Sequence, residues 1–298
     1  MALRGIKPEL KEKRLKLFLY GPAGVGKTTA TISFPHAYVI DTEKGSDFYS
    51  KTLSKSGSVV FQSNNPDEIK EEIKELLTTK HPYKTLIIDP VTNLYNAVQE
   101  KWTRVFEKHT RDSGKAEQAE IQDFGMRYWG RVKSEFKSIQ RMLMALDMNV
   151  LVTSHQKDQY GAGMTKVGVT YDSIKGEDYL YDLVFRLNIQ GGKRMAITEK
   201  ERAEVGCNKF PDSFEWSYEN FLKFYGKEVI ERESVPVRLA TTEQVNKIKN
   251  LVEVVKVDPD QVNAWFQKAG VDDWADMEED RILKAIDFVE KKLKGVKA

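Results

Sequence analysis

Five short runs of β-branched, aliphatic and aromatic residues punctuate the first half of the chain: Leu17–Tyr20, Ala37–Asp41, Val59–Phe61, Thr85–Asp89 and Val150–Thr153. Each is continuously apolar rather than alternating, which is the pattern of a central strand buried on both faces of a parallel sheet. Helical patterns lie between them. Asn65-Pro66-Asp67-Glu68 opens one, with an N-cap residue, proline at the first helical position and an acidic first turn. Val132, Phe136, Ile139, Leu143 and Leu146 recur at helical spacing and predict another over about 128–146. Strands alternating with helices predict an α/β fold with a mainly parallel central sheet.

The pattern changes after about residue 180. Leu183–Ile189 alternates apolar and polar, Gly191-Gly192 follows, and 193–198 can return, so a hairpin at the sheet edge is expected. Pro236 in the charged stretch 231–238 marks an expected boundary. Beyond it, 241–294 reads as a small helical module. Thr241-Thr242-Glu243-Gln244 is a capping box, Asp258-Pro259 starts a second helix that stops at Gly270, and 276–279 starts a third. Its aromatics Trp265, Phe266 and Trp274 fit a core, and the acidic run 272–280 argues against nucleic-acid contact on that face. The expected organisation is a basic arm over 1–15 (Lys7, Lys11, Lys13, Arg14), a core over 16–232 and a C-terminal helical domain over 239–298.

The first apolar run leads directly into Gly21-Pro22-Ala23-Gly24-Val25-Gly26-Lys27-Thr28, a complete G-x-x-x-x-G-K-[ST] phosphate loop. Its glycines let backbone N–H groups turn toward phosphate, and a following helix would add its N-terminal dipole. Lys27 would reach the β- and γ-phosphates of ATP, and the Thr28 hydroxyl would ligate Mg²⁺. Thr29 completes the nucleotide-binding segment. Asp89 ends a buried run downstream of the loop, the Walker B arrangement for holding Mg²⁺, although strand-end aspartates also cap loops. Glu43 falls just past another buried run, at the edge where open α/β sheets bind ligands. A carboxylate there can orient or deprotonate the attacking water. Asp41 is the alternative for that work, with Glu43 as a solvated loop acid.

Composition narrows the setting. Of 298 residues, 40% are apolar and 31% charged, enough for a sizeable core in a soluble protein. A net charge of +2 leaves nucleic-acid binding to a local patch rather than a global field. One cysteine, Cys207, excludes an internal disulfide and fits a reducing compartment. No apolar run approaches a membrane span, and Met1–Ile6 lacks a secretory apolar core, so a cytoplasmic location is expected, in a bacterium or in the host of a bacteriophage.

Together, the phosphate loop, Ile40-Asp41-Thr42-Glu43, Ile87-Ile88-Asp89 and Thr153-Ser154-His155-Gln156 resemble the core of RecA-type recombination ATPases over about residues 14–205. The resemblance is closest to the shortened RecA-like ATPases of bacteriophages, the Sak-type recombinases that work beside single-strand-binding protein. It implies that Glu43 is the catalytic base. It also implies that a polar residue after Val150–Thr153 reads the γ-phosphate and relays its state to a mobile DNA-facing loop. RecA carries Asn-Gln there, so Gln156 is the closer match and His155 departs from it. The stretch 157–168 matches the second DNA-facing loop, with Lys157 and Lys166 for phosphates and Tyr160 for stacking on a base. An ordinary flexible surface loop is the alternative. The breaker-rich segment 108–115 falls where the first such loop is expected. Lys200 and Arg202 match the Lys-x-Arg pair that reaches a neighbouring subunit's nucleotide, the alternative being an exposed charged turn.

The function these readings imply is ATP-dependent binding of single-stranded DNA, as a self-assembled filament or ring, to promote annealing or strand exchange. Single-strand-binding protein or an annealing protein would be partners. Two other readings stay open: a nucleotide-gated scaffold that loads an annealing protein, and a DNA-translocating motor.

Overall fold

The computed structural model describes residues 13–113, 117–202 and 206–296. Its strands are β1 (Lys16–Gly21), β2 (Ala37–Asp41), β3 (Val59–Gln62), β4 (Thr85–Asp89), β5 (Asn149–Tyr160), β6 (Lys166–Tyr171), β7 (Leu183–Gln190), β8 (Lys193–Glu201) and β9 (Ser213–Glu215). Its helices are α1 (Lys27–Thr31), α2 (Ser50–Lys55), α3 (Pro66–Thr78), α4 (Val91–Ser113), α5 (Glu117–Ala145), α6 (Tyr218–Tyr225), α7 (Glu228–Glu231), α8 (Thr242–Val255), α9 (Pro259–Ala269) and α10 (Glu279–Val296). The expected α/β class, mainly parallel sheet and C-terminal helices are present. Among the described residues no helix is long and apolar enough to cross a membrane.

The sheet runs β3-β2-β4-β5-β1-β7-β8-β9, with β6 paired to the far half of β5. β1, β4 and the first six residues of β5 are buried throughout, as the continuous apolar runs demand. These strands pair in parallel, so their C-terminal ends meet one edge: Gly21 stands beside His155, and Asp41 beside Asp89.

Two placements differ from expectation. The run 59–61 forms the sheet's outer strand, with Val59 and Val60 both 37% exposed, because an apolar run cannot report how many neighbours a strand will have. The β7–β8 hairpin turns at Gly191-Gly192, both at positive φ, as that dipeptide requires. It sits inside the sheet rather than at its edge, because β9 adds a further strand beside β8.

The chain divides into two compact units. The first spans residues up to 65, 82–97 and 147–234. Its core joins Leu17, Leu19, Ile87, Leu151 and Phe185 to the aromatics Phe210, Phe214, Trp216 and Phe221. The second spans 66–81, 98–146 and from 235 on. In it the C-terminal helices close around Ile248, Trp274, Ile282, Ile286 and Val289. The capping box at Thr241 and Gln244 forms, and Gly270 ends α9 in the left-handed region. Residues 1–12 of the expected basic arm lie outside the described residues. Arg14, counted with that arm, is a buried structural cation: it pairs with Asp147 and donates to the carbonyls of Val229, Arg232 and Glu233.

Lys16 is buried in the first unit, where its Nζ donates to the Met148 carbonyl at 3.1 Å. Burial pulls its pKa down from 10.5 to about 7, although Asp182 and Asp147 oppose the shift. The unfolded chain keeps this proton until about pH 10, so above pH ~7 it binds more protons than the folded chain. Stability should therefore rise with pH from about 7 to about 9. Lys27 and Lys200, also pulled down by burial, add the same sign. Above that window the raised phenols of Tyr20, Tyr171, Tyr218 and Tyr225 act the other way. Melting temperatures measured across this range should climb for the natural chain and climb less for Lys16→Met; equal slopes would refute the assignment.

Candidate nucleotide site

β1 is rigid because both its faces are covered, and it delivers Gly21 to the sheet edge. A Cβ on Gly21 would meet the Leu187 carbonyl oxygen at 2.7 Å, so only glycine lets the loop leave against β7. Pro22, Ala23 and Gly24 form its exposed tip, and buried Val25 anchors its return. Gly26 adopts φ 87°, in the left-handed region that glycine enters without a Cβ penalty. The helix behind, α1, has only 5 residues, so the loop amides rather than a long helix dipole carry the anion site. Lys27 Nζ rests on the carbonyls of Gly21 (3.0 Å) and Pro22 (3.1 Å). Burial lowers its pKa, while Asp89 and Glu43 pull the other way. Thr29 Oγ1 donates to the Tyr49 hydroxyl at 3.3 Å.

Three acids reach this edge, and each is held differently. Asp89 is buried at the end of β4, where its carboxylate accepts from the hydroxyls of Thr153 and Thr28. Burial raises its pKa against the pull of those two hydroxyls. Hard oxygen donors from Thr28 and Asp89, already joined, are a donor set that suits a small divalent cation such as Mg²⁺. Asp41 has a different job. Its carboxylate accepts from the backbone N–H groups of Glu43 (3.0 Å), Gly45 (3.2 Å) and Ser46 (2.9 Å), and from the Ser46 hydroxyl. Burial alone would raise its pKa, but the bonds from Ser46, Glu43 and Gly45 outweigh it and the net shift is downward. With its oxygens committed to the turn, Asp41 sets the course of the chain that carries Glu43.

Glu43 itself is exposed. Its Oε1 lies 2.7 Å from His155 Nε2 and accepts from Asn93 Nδ2 at 3.2 Å. Asn93 also donates to the Thr42 carbonyl at 3.3 Å, which ties this corner to the start of α4. The residue in contact with Glu43 is therefore His155 and not Gln156. Side chains on a strand alternate between faces, so turning His155 toward Glu43 turns Gln156 away. In the backbone ladder with β6, Gln156 stands opposite Tyr171.

The segment expected as a mobile loop is a β-hairpin. β5 continues through Tyr160 and pairs with β6 from Gln156↔Tyr171 to Tyr160↔Lys166. Lys157 pairs with Asp172 at 2.9 Å and Lys166 with Asp158 at 2.8 Å, while Tyr160 is 58% exposed. The other expected loop is absent up to Ser113, since α4 stays helical that far; 114–116 lie outside the described residues.

Lys200 and Arg202 lie away from their own chain's phosphate loop. Lys200 stands beside Val184, three positions along β7 from Leu187, or roughly 10 Å. Its Nζ donates to the Asp178 carbonyl at 2.7 Å. Arg202 donates to the Tyr179 carbonyl at 2.8 Å and pairs with Asp182 at 3.3 Å. The sequence alone assigns no role to three residues at the site: Asn93, Thr153 and Arg194. For Thr153 the signal was its place at the end of an apolar run; for the other two the sequence offers none.

The family described as an AAA domain matches residues 13–210. A comparison with curated proteins gave no match. Among solved structures, the crystal structure of the RadB recombinase is similar at 19% identity and a TM-score of 0.36, over 63% of this chain and 81% of that one.

Gly26→Ala tests the loop. The left-handed φ costs a residue with a Cβ roughly 1–2 kcal/mol, and the added methyl would run into the Arg194 guanidinium. The expected outcome is a chain that still folds by circular dichroism but loses ATP binding in a fluorescent-nucleotide titration.

Proposed function

We propose that this chain, which belongs to the AAA domain family, hydrolyses ATP and uses the cycle to bind single-stranded DNA as a recombinase that promotes annealing or strand exchange. The observation that carries the reading is convergence at one sheet edge: Gly21, where the phosphate loop opens, stands beside His155, whose ring meets Glu43 at 2.7 Å, and Asp89 ends β4 at the same edge, bonded to Thr28 of the loop. Loop amides and Lys27 hold the triphosphate. Thr28 and Asp89 would hold Mg²⁺, which when bound offsets charge on the phosphates. Glu43 orients the attacking water and takes its proton, and His155 and Asn93 keep the carboxylate in place.

The hairpin is the proposed DNA contact, through Lys157, Tyr160 and Lys166. His155 links it to the site: its side chain meets Glu43, while its carbonyl accepts from the Asp172 amide at 2.8 Å. Gln156, one residue on, begins the hairpin and is proposed to couple the phosphate state to it. Lys200 and Arg202 are proposed to complete the site of a neighbouring copy in a filament or ring, which makes hydrolysis depend on assembly. Single-strand-binding protein or an annealing protein is the proposed partner. A second reading, a nucleotide-gated scaffold with little turnover, is favoured by one observation: both hairpin lysines are already paired with carboxylates.

Glu43→Gln separates the two. An ATPase should lose roughly 10²- to 10⁴-fold in turnover while keeping nucleotide affinity, and DNA-dependent activity should stall with it. A scaffold should still assemble and load its partner. ATP hydrolysis should rise when single-stranded DNA is added; no stimulation at any protein concentration would count against the recombinase reading.

Two substitutions sets address the outer residues. Removing Lys157, Tyr160 and Lys166 together should abolish single-strand binding in fluorescence anisotropy, with Tyr160 alone costing about 1–3 kcal/mol if it stacks on a base. Lys200→Ala with Arg202→Ala should spare nucleotide binding and lose hydrolysis. Normal hydrolysis in that double variant would rule out the role in a neighbour's site.

A further inference from the structure

β8 brings a second cation to the phosphate loop. Arg194 follows the Gly191-Gly192 turn by two residues, and its Nε donates to the Val25 carbonyl at 2.9 Å. Its guanidinium then lies along Gly26, so close that a Cβ on that glycine would stand 2.1 Å from Nη2 and 2.6 Å from Cζ. The group therefore occupies the flank of the phosphate loop at Val25 and Gly26.

Its electrostatic situation differs from that of its neighbours. Arg186 pairs with Glu199, Lys193 with Glu215 and Arg202 with Asp182. Among the described residues no carboxylate pairs with Arg194, whose hydrogen bond goes to a neutral carbonyl. Lys27 lies on the other side of the loop, resting on the carbonyls of Gly21 and Pro22. Asp89 and Glu43 act on Lys27 from the sheet edge, whereas Arg194 has only the Val25 carbonyl, and a half-buried cation without a carboxylate partner gains most from an arriving anion. A guanidinium offers five N–H donors in a fixed fork, of which Val25 uses one.

We propose that Arg194 is a nucleotide-binding residue of its own chain's site. Nε braces the loop at Val25, and the Nη donors take oxygens of a nucleoside di- or triphosphate on the Val25–Gly26 side, while Lys27 serves the Gly21–Pro22 side. This rests on the phosphate loop's being a nucleotide site. It separates Arg194 from Lys200 and Arg202: its effect is on affinity in a single chain, not on hydrolysis between chains.

The test is a titration of fluorescent ATP and ADP analogues into the natural chain, Arg194→Ala, Arg194→Gln and Arg194→Lys, each with its melting temperature recorded without nucleotide. Gln can still donate to Val25 but has no charge, so it distinguishes a ligand from a brace. The expected result is a roughly 10- to 100-fold weaker affinity for both nucleotides in Arg194→Ala and Arg194→Gln, with partial recovery in Arg194→Lys. Natural affinity in Arg194→Gln would reduce Arg194 to a brace and overturn the proposal. Should Arg194→Ala fail to fold, the Gln and Lys variants decide the matter. No binding by the natural chain would overturn the site reading and this proposal with it, whereas binding that survives Arg194→Gln overturns the proposal alone.

Discussion

Strands covered on both faces tolerate no slip. β1, β4 and the first half of β5 are buried residue by residue, and they pair in parallel with one register. A shift of one residue would turn Asp89 to the opposite face and separate it from Thr153. The tight core is thus what gives the polar edge its geometry. Gly21, Asp41, Asp89 and His155 stand together there because the apolar residues behind them leave no other alignment.

At that edge the acids divide the work by what surrounds them. Asp41 spends its oxygens on backbone amides, and Asp89 on two hydroxyls within the protein. Both are buried carboxylates: the donors outweigh burial for Asp41, while burial outweighs them for Asp89. Glu43 is the one with solvent beside it, steadied at one oxygen by His155 and Asn93. The cations flank the loop in the same manner: Lys27 rests on the carbonyls of Gly21 and Pro22, and Arg194 on that of Val25.

The hairpin is joined to the site by more than covalent continuity. Thr92, Ser154 and the Asp172 carbonyl form a buried hydroxyl cluster beside His155. On the other side, Tyr171 packs against Phe18 and Tyr20 of the strand that carries the phosphate loop, with ring centroids 5.2 and 6.1 Å apart. The edge that carries the phosphate loop and the base of the hairpin therefore share one set of packed and hydrogen-bonded residues.

Local signals determined much of this. The apolar runs marked β1, β2 and β4 almost to the residue, since a strand buried on both faces must be apolar throughout. The glycines and lysine of the phosphate loop were legible because positive φ and a flexible cation are demands on residue type. The Gly191-Gly192 turn and the capping box at Thr241 were legible for the same reason. Only the tertiary structure decided which carboxylate faces solvent, because Asp41 and Glu43 differ in their donors and not in their residue class. Pairing with β6 turned 157–168 from an apparent loop into a hairpin, and the addition of β9 moved β7 and β8 inside the sheet. The place of Arg194 was decided in the same way: its 169-residue separation from Val25 is closed by strand order alone, and no local pattern encodes a contact made across a sheet.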